Sequence, residues 1–550
     1  MARVEHSPLA GQTMNSPLLI SSLIQNADRY FGDVEIVSRR GDGTIHRYGY
    51  RDCHTRARRL AAALAKLGLE IGDRIASLGW NNFRHLEAYF AVPGMGMVLN
   101  TINPKLHRDQ VAYIAGHAEA RCVLFDLSFL AQAETIAAQC PQALHFIAMC
   151  APEEMPATTS IANLICYEEL IAGATDRFEW PVFDETAASA LCYTSGTTGP
   201  PKGVLYSHRA TMIHSYAEVM PDAFNISSRD TITPVVPMYH ANAWGLPYAA
   251  ALAGAKLVLP GPLMDGKSLY DLIEGEGVTF SAGVPTVWSG LLDHVAANGL
   301  SFTHFKRMNI GGSACPTAMM KTFREQYGVD VIHAWGMTEM SPMGTICSLQ
   351  ARHANLPEDE RQMLRETQGH PVFGVDMRLL DDQGVELPWD GKTTGNLYVK
   401  GAWVIDSYYK DVPGSALREG WLPTGDVVTI NPQGYIKITD RSKDIIKSGG
   451  EWISSIEVEN VSQLHPDVQQ AACIGIADQK WGERPLLVVI RRAGSNLEKA
   501  ALFDFLEGKI AKWWMPDDIV FVDSIEIGPT GKVLKNRLRE RFSGQDGPTS

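Results

Sequence analysis

The sequence predicts an α/β fold with a large N-terminal domain of several subdomains. The main observation is that helical segments alternate with short apolar strands, a pattern typical of parallel strands layered against helices. The length of 550 residues allows several folding units with a large buried core. A composition of 45% hydrophobic and 20% charged residues is ordinary for globular proteins and excludes disordered, collagen-like and coiled-coil classes.

The first half of the chain carries this α/β pattern. It predicts a helix at 60–68, strands at 122–126 and 145–150, and strand-then-turn segments at 256–261 and 271–285. No repeat of fixed period is visible. The N-terminal part is therefore expected to be layered α/β structure with parallel strands rather than a repeat array.

The character of the sequence changes near residue 440. The segment 435–454 carries four basic residues just before the pair Gly449 and Gly450, and a helix is expected at 453–465. Two apolar strands, an amphipathic helix near 497–514 and a basic end follow. We predict an N-terminal domain over 1–439 and a small α+β domain over 440–550.

Charge and cysteine usage limit the partners and the compartment. With 49 basic and 62 acidic residues, the formal charge of −13 opposes nonspecific binding to nucleic acid, so no nucleic-acid partner is expected. The nine cysteines are scattered without metal-ligand spacing, which indicates a reducing cytoplasm. No secretory signal or uncharged apolar run of spanning length is visible, so no integral membrane segment is predicted.

The strongest motif is YTSGTTGPPKGV, from Tyr193 to Val204. A β-prone stretch enters a segment of hydroxyl residues, glycines and Lys202, whose backbone amides can surround phosphate oxygens. It is not a Walker loop, because Lys202 is followed by Gly203. A plain surface loop is the alternative.

Three further segments carry candidate chemistry. PMYHANAWG places His240 and Trp244 four residues apart, on one side if the segment is helical, although each alone is more often a packing residue. GGSACP (311–316) is suited to close approach by a flat ring. HAWGMTE ends in Thr338 and Glu339, where a carboxylate beside hydroxyls suits Mg²⁺, with a structural Glu as the alternative.

Two short motifs stand near the end of the chain. In TGDV, Asp426 follows a glycine turn, where a carboxylate can accept both hydroxyls of a ribose. In PTGK, Lys532 precedes a basic run that is best interpreted as a solvated helix face. Each motif alone is weak.

Taken in order, these segments resemble the adenylate-forming superfamily of acyl-CoA synthetases, adenylation domains and beetle luciferases. The resemblance covers roughly residues 20–540 and is closest to bacterial medium- and long-chain fatty acid CoA ligases, with methylmercaptopropionate-CoA ligases nearby. It implies the luciferase-like fold with a small mobile C-terminal domain. It also implies ATP, Mg²⁺ and coenzyme A as cofactors, a carboxylic acid as substrate, and a homodimer.

The resemblance also implies roles for individual residues. The catalytic residues would be Lys532, His240, Glu339 and Thr338, and the metal ligands Thr194 and Glu339. The nucleotide and CoA contacts would be Thr194, Ser195, Gly196, Thr197, Thr198, Gly199, Lys202, Ala241, Gly312, Ser313, His333, Ala334, Thr338, Asp426, Arg441, Lys443, Lys447, Gly449, Trp452 and Lys532. An aromatic gate, Trp244, would separate ATP from an acyl tunnel with Gly283, Val284 and Pro285 in its wall.

The implied reaction has two halves: a carboxylate attacks the α-phosphorus of ATP to give acyl-AMP, and the CoA thiol then takes the acyl group. Asp440 would be the pivot for a rotation of the small domain between the halves. We predict an acid–thiol ligase for a medium-chain fatty acid. The alternatives are a ligase for a short sulfur-containing or aryl acid, a kinase or NTPase, and an inactive nucleotide-binding homologue.

Overall fold

The computed structural model describes residues 9, 11–194, 200–441, 443–449, 451–528 and 532–542, without the side chain of Glu451. These residues form an α/β structure with a large N-terminal domain and a small C-terminal domain, as predicted. Among them no helix is both long and apolar enough to cross a bilayer.

The strands of the described residues follow in chain order. They are β1 (Glu35–Arg39), β2 (Ile45–Gly49), β3 (Arg74–Leu78), β4 (Val98–Thr101), β5 (Ala120–Phe125), β6 (His145–Ala148), β7 (Ile165–Cys166), β8 (Ala188–Tyr193), β9 (Gly203–Ser207), β10 (Thr231–Pro234), β11 (Lys256–Leu259), β12 (Phe280–Gly283), β13 (Arg307–Ile310), β14 (Asp330–Gly336), β15 (Met343–Ile346), β16 (His370–Pro371), β17 (Val375–Leu380), β18 (Thr394–Gly401), β19 (Leu422–Ile430), β20 (Ile436–Arg441), β21 (Ile446–Ser448), β22 (Glu451–Ile453), β23 (Val468–Asp478), β24 (Gly482–Arg491) and β25 (Asp518–Phe521).

The α-helices of the same residues are α1 (Ile20–Phe31), α2 (Tyr50–Lys66), α3 (Phe83–Gly94), α4 (Arg108–His117), α5 (Leu130–Gln139), α6 (Tyr167–Ala172), α7 (His208–Val219), α8 (Leu246–Ala253), α9 (Gly266–Glu276), α10 (Pro285–Ala297), α11 (Thr317–Tyr327), α12 (Glu358–Arg365), α13 (Ser455–Ser462), α14 (Lys499–Leu506) and α15 (Lys535–Phe542). Short 3₁₀ turns connect several of them, including Thr338–Met340.

Three sheets build the large domain. A nine-stranded sheet has the order β16-β15-β14-β13-β12-β10-β11-β1-β2, and its central strands from β14 to β1 are parallel. A seven-stranded sheet has the order β7-β6-β5-β3-β4-β8-β9 and is parallel except for the β8–β9 pair. A four-stranded antiparallel sheet, β17-β18-β19-β20, completes the domain. Parallel strands need helical crossovers, which explains the alternation in the sequence.

One hydrophobic core joins the three sheets. Leu99 of β4, Ile332 of β14 and Val428 of β19 belong to the same buried cluster. In the small domain, β21 to β25 form a separate five-stranded sheet with its own core, which includes Ile446 and Leu487. Each domain can therefore keep its internal packing if their relative orientation changes.

Most predicted elements are present, with shifted ends. The helix predicted at 60–68 is the end of α2, and the predicted strands at 122–126 and 145–150 coincide with β5 and β6. The helix predicted near 497–514 is shorter, because α14 ends at Leu506 and Gly508 then adopts a φ of 75°. The start of the segment 271–285 is helical, and its strand begins at Phe280.

Candidate active site

A cavity of about 670 Å³ lies where the nine-stranded sheet, the β8–β9 hairpin and the small domain meet. The structure brings many of the predicted site residues together in its wall. Those are Thr194, Lys202, His240, Ala241, Trp244, Gly312, Ala334, Thr338, Glu339, Arg441 and Lys532.

Other predicted residues that the structure describes do not line this cavity. They are Ser313, His333, Asp426, Lys443, Lys447, Gly449, Trp452, Gly283, Val284 and Pro285. The predicted phosphate contacts Ser195, Gly196, Thr197, Thr198 and Gly199 lie outside the described residues.

Residues 194–202 form the predicted phosphate segment, and its two ends are joined by hydrogen bonds. The backbone N–H of Thr194 donates to the carbonyl of Lys202 at 2.9 Å, and the N–H of Lys202 donates to Thr194 Oγ1 at 3.2 Å. Lys202 Nζ lies 4.6 Å from the ring centre of Tyr408, within cation–π range. The hairpin thus holds a hydroxyl and an ammonium group at the same wall of the cavity.

The turn that carries Trp244 is left-handed. Four consecutive non-glycine residues from Ala241 to Trp244 have φ between 43° and 55°. L-residues rarely adopt this region in succession, because it crowds the Cβ against the backbone. Asn242 suits it, and its buried Oδ1 accepts from Thr101 Oγ1 and Cys192 Sγ, each at 3.4 Å. The sequence predicted that His240 and Trp244 share one side of a helical segment. The segment instead forms a tight left-handed turn, which the surrounding core maintains.

The indole of Trp244 lies against the glycine turn after β13. A Cβ on Gly311 would be 3.4 Å from Trp244 Cη2, and a Cβ on Gly312 would be 3.5 Å from Cζ2 and 3.2 Å from Val284 Cγ1. Trp244, Gly312 and Val284 are thus neighbours. Gly283 packs under the ring of Trp288, where a Cβ would be 3.0 Å from Cζ2, and Pro285 is the first residue of α10.

Glu339 and Thr338 are held by two tyrosines. The Glu339 side chain is buried, and its Oε1 accepts from the Tyr408 hydroxyl at 2.8 Å. The Thr338 carbonyl accepts from the Tyr206 hydroxyl at 2.6 Å. The Glu339 carboxylate therefore lies in the wall of the cavity that Thr194 and Lys202 also line.

Lys532 enters the cavity from the small domain. Burial and the nearby Arg441 guanidinium lower the pKa of Lys532 to about 8, against the attraction of Asp426 and Glu339. Arg441 Nε lies 2.7 Å from Asp426 Oδ1, and Trp335 Nε1 donates to Asp426 Oδ2 at 2.8 Å. Asp426 is thus buried behind the wall, with both carboxylate oxygens engaged.

Two histidines are kept neutral. Burial lowers the pKa of His240 to about 4, with a further contribution from the Lys532 ammonium. Burial likewise lowers the pKa of His333 to about 4, and its Nδ1 has no hydrogen-bond partner among the residues described. Both rings are therefore uncharged at neutral pH and act as hydrogen-bonding groups.

Asp440 sits at the junction of the two domains. It lies on β20, and its Oδ2 accepts from the backbone N–H of Ser455 at 2.9 Å and from the Ser455 hydroxyl at 2.5 Å. Gly449 has a φ of 60°, and a Cβ there would lie 2.9 Å from the Trp481 ring. The predicted residues Lys443, Lys447, Gly449 and Trp452 follow this junction and stay outside the cavity in the observed arrangement.

Comparisons with known proteins define the family. Residues 23–409 match the model of the AMP-binding enzyme family, and residues 457–532 match that of the AMP-binding enzyme C-terminal domain. The chain belongs to the AMP-binding enzyme family. It is an ATP-dependent acyl-CoA ligase of the adenylate-forming group, in the acid–thiol ligase class, as predicted.

Two curated relatives of this ligase match it over 97% of the chain. The 3-methylmercaptopropionyl-CoA ligase of Ruegeria lacuscaerulensis is 52% identical over 97% of this chain and 99% of its own. The medium-chain-fatty-acid–CoA ligase of Ectopseudomonas oleovorans is 49% identical over 97% and 98%. Among solved structures, the anthranilate CoA ligase AuaEII with anthranoyl-AMP has a TM-score of 0.84 at 22% identity, over 96% of this chain and 98% of that one, which shows the shared fold.

Several cavity residues of the ligase were not predicted from the sequence. Gly311 lies in the motif GGSACP, and Trp335 and Gly336 lie in HAWGMTE. Their position inside these motifs is the sequence signal that could have identified them. A second group carries no local motif and reaches the cavity only through the fold. That group is Tyr113, His117, Phe224, Asn309, Tyr408, Tyr409 and Asp411.

Proposed function

We propose that the ligase activates a medium-chain fatty acid through an acyl-adenylate and transfers the acyl group to coenzyme A. The observation that carries this proposal is that Lys532, Glu339 and Thr194 line one cavity with Trp244 at its inner side. A cation, a carboxylate and a hydroxyl group thus surround the space in which a triphosphate and a carboxylate would react.

The first half-reaction needs charge stabilisation rather than a base. A carboxylic acid with a pKa of about 4 to 5 is already ionised at neutral pH, so it attacks the α-phosphorus directly. Both reactants are anionic, and the Lys532 ammonium offsets their repulsion as the bond to pyrophosphate breaks. Neutral His240, beside Lys532, donates a hydrogen bond where the carboxylate and phosphate meet.

The cavity also suits Mg²⁺. Glu339 keeps one carboxylate oxygen beyond its bond with Tyr408, and the Thr194 hydroxyl lines the same space. A hard cation that retains waters needs few protein oxygens of this kind. Thr194 and Glu339 would hold the ion, which would neutralise phosphate charge when bound.

The second half-reaction requires different groups in the same space. We infer that the small domain turns about Asp440, which removes Lys532 from the cavity and brings the segment from Lys447 to Trp452 toward it. The separate core of the small domain supports such a rigid-body rotation. In that arrangement, Gly449 would let the backbone approach the pantetheine chain closely.

A short sulfur-containing acid is the second candidate substrate. Asn309 lines the cavity, is almost fully buried, and its Oδ1 has no hydrogen-bond partner among the described residues. That oxygen only accepts hydrogen bonds, so neither an aliphatic chain nor a thioether would pair with it, and it does not distinguish the two acids. The candidate is supported instead by the similarity to a methylmercaptopropionyl-CoA ligase. An aryl acid is the third.

Pyrophosphate release with ATP, Mg²⁺ and CoA across acids from C3 to C18, with methylmercaptopropionate and benzoate, tests the proposal. A maximum at intermediate length supports the medium-chain substrate. Methylmercaptopropionate and pentanoate form a matched pair that differs at one chain atom, so a strong preference for the former would replace the first candidate by the second. No turnover with any acid, with AMP still bound, would overturn the catalytic proposal in favour of an inactive homologue.

We further propose that the ligase works as a homodimer in the cytoplasm. Twofold homodimers are the commonest oligomers, and the nine cysteines are unpaired, as in a reducing compartment. Sedimentation equilibrium at micromolar concentration checks the dimer, and a mass of one chain would contradict it.

A further inference from the structure

An aromatic cluster lies at the mouth of the cavity, next to the phosphate segment. It consists of His117, the last residue of α4, and three tyrosines, Tyr113, Tyr193 and Tyr409. His117, Tyr113 and Tyr409 line the same cavity as Thr194 and Lys202. Tyr193 begins the motif of the phosphate segment, whereas His117, Tyr113 and Tyr409 belong to none of the motifs assigned from the sequence.

The ring of His117 is held on three sides. The Tyr193 hydroxyl is 2.7 Å from His117 Nδ1, and Tyr113 stacks on the ring with centroids 5.7 Å apart and planes at 25°. Tyr409 meets the ring edge-on, at 5.7 Å and 79°. With Nδ1 engaged, the orientation of Nε2 is set before any ligand arrives.

The same tyrosines tie His117 to both ends of the phosphate segment. Tyr193 immediately precedes Thr194, and the Tyr409 backbone N–H donates to the Gly203 carbonyl at 2.8 Å. A Cβ on Gly203 would lie 3.0 Å from Tyr409 Cβ and 3.2 Å from Tyr193 Cζ. His117 is thus fixed relative to Thr194 and Lys202, the described ends of the phosphate segment.

Charged side chains of both signs surround His117. Glu119 is paired with Lys410 and with Arg74, both at 2.8 Å, which offsets its negative charge. Of the charged residues that line the same cavity, Lys202 is cationic and Asp411 is anionic. Burial and the Lys410 ammonium lower the pKa of His117, so its ring is neutral at pH 7. When Tyr193 donates to Nδ1, the proton of the neutral ring is on Nε2, which is then a donor.

We propose that His117 binds the β,γ-phosphate end of ATP, and the pyrophosphate formed from it, by donating a hydrogen bond from Nε2. The inference rests on the proposed ATP-dependent function. It adds a binding group from α4, held in place by Tyr193, to those on the phosphate segment. Because AMP lacks these phosphates, His117 discriminates ATP from AMP.

Calorimetric titration of the full chain with ATP and with AMP, in Mg²⁺ and without acid, tests this proposal. His117→Ala should weaken ATP binding about tenfold or more, the loss typical of one hydrogen bond to a charged group. Its affinity for AMP should stay within twofold of the original. The inhibition constant of pyrophosphate in the acid ladder assay should rise by the same factor as the Kd of ATP.

Three further variants separate binding from structure. His117→Gln keeps an N–H donor and should recover part of the ATP affinity, and Tyr193→Phe should give an intermediate loss. His107→Ala, an exposed histidine beside the other end of α4, should change neither affinity. Equal weakening of ATP and AMP by His117→Ala, or no weakening of ATP, would overturn the proposal. If no acid is turned over, the ratio of the Kd values of ATP and AMP still reports on His117. Failure of this proposal and failure of the proposed catalytic function are therefore distinguishable.

Discussion

The cationic side chains of Lys532 and Arg441 both line the cavity, and the repulsion between them contributes to the lowered pKa of Lys532. Because Arg441 also pairs with buried Asp426, its charge stays fixed while the Lys532 ammonium remains available. When an anion binds beside it, a partly desolvated lysine near a guanidinium gains more electrostatic stabilisation than an exposed lysine does.

Replacing Lys532 by alanine should separate the two half-reactions. Acyl-AMP formation should fall on the order of 10² to 10³-fold, because a transition-state charge is lost. Thioester formation from supplied acyl-AMP and CoA should be spared. Pyrophosphate release and CoA consumption measure the two steps. The control is Lys321→Ala, an exposed lysine of α11 outside the cavity wall; equal loss of both steps in folded Lys532→Ala would contradict the assignment.

The same lysine predicts an alkaline limit. Its ammonium is lost as pH rises through about 8, so kcat/KM for ATP in acyl-AMP formation should decline above that pH. Lys532→Arg keeps its charge and should move the decline to higher pH. Pre-steady-state pyrophosphate release from pH 6 to 10 measures the profile. If kcat/KM of the Lys532→Arg variant declined at the same pH, the alkaline decline would belong to another group.

At the scale of elements, the left-handed turn and the glycine turn after β13 form one unit. The turn from Ala241 to Trp244 presents its indole, and Gly311 and Gly312 leave the space that the indole occupies. Strained backbone of this kind persists only when its surroundings determine it, and it is common at ligand-binding sites.

Removing the indole should widen the inner side of the cavity. Trp244→Ala should shift the optimum of the acid ladder toward longer or bulkier acids, since the indole would no longer occupy the space beside Gly311 and Gly312. The AMP affinity, measured by calorimetry, reports whether the nucleotide pocket is intact. An unchanged acid optimum in a variant with normal AMP binding would remove Trp244 from the acyl wall.

Gly449, which follows β21, is assigned to the other half-reaction in the proposed mechanism. Gly449→Leu should suppress thioester formation while acyl-AMP formation continues, because a side chain at φ 60° would clash with Trp481 and block the backbone approach. Gly494→Leu is the matched control, since φ there is 82° and a Cβ meets nothing within 4 Å. Loss of acyl-AMP formation in Gly449→Leu, with an unchanged melting temperature, would contradict this division.

At the scale of the molecule, the observed arrangement has Lys532 inside the cavity and Gly449 outside it, which fits the adenylate-forming half-reaction as proposed. Asp293 of α10 and Arg492 of the small domain face each other across the surface at 4.0 Å. Both are exposed, so the pair contributes little stability and can be replaced.

A cross-link at this position should trap one half-reaction. The variant Asp293→Cys/Arg492→Cys, joined by a short bismaleimide with a reducible bond, should form one equivalent of acyl-AMP and then stop before the CoA step. Reductive cleavage of the linker should restore turnover. Single-turnover assays before and after reduction measure this. Turnover with CoA at the uncross-linked rate would show that no domain rotation is needed.

Much of the fold followed from the sequence because its signals are local. Periodicity placed β5 and β6, since apolar spacing reports which face of an element is buried, and the changed character of the sequence predicted the small C-terminal domain. The helix near 497–514 was overestimated, because the effect of one glycine on the end of a helix is weak in the sequence.

The sequence by itself determined the family and the groups that enter the cavity in contiguous motifs, including Lys202, Glu339 and Lys532. The tertiary structure decided what converges from separate elements: His117 from α4, Asn309 from β13, and the burial of Asp426 behind Arg441. It also decided the left-handed turn at Trp244. The physical reason is that long-range packing and burial set these positions, and neither is encoded in the residues adjacent in the chain.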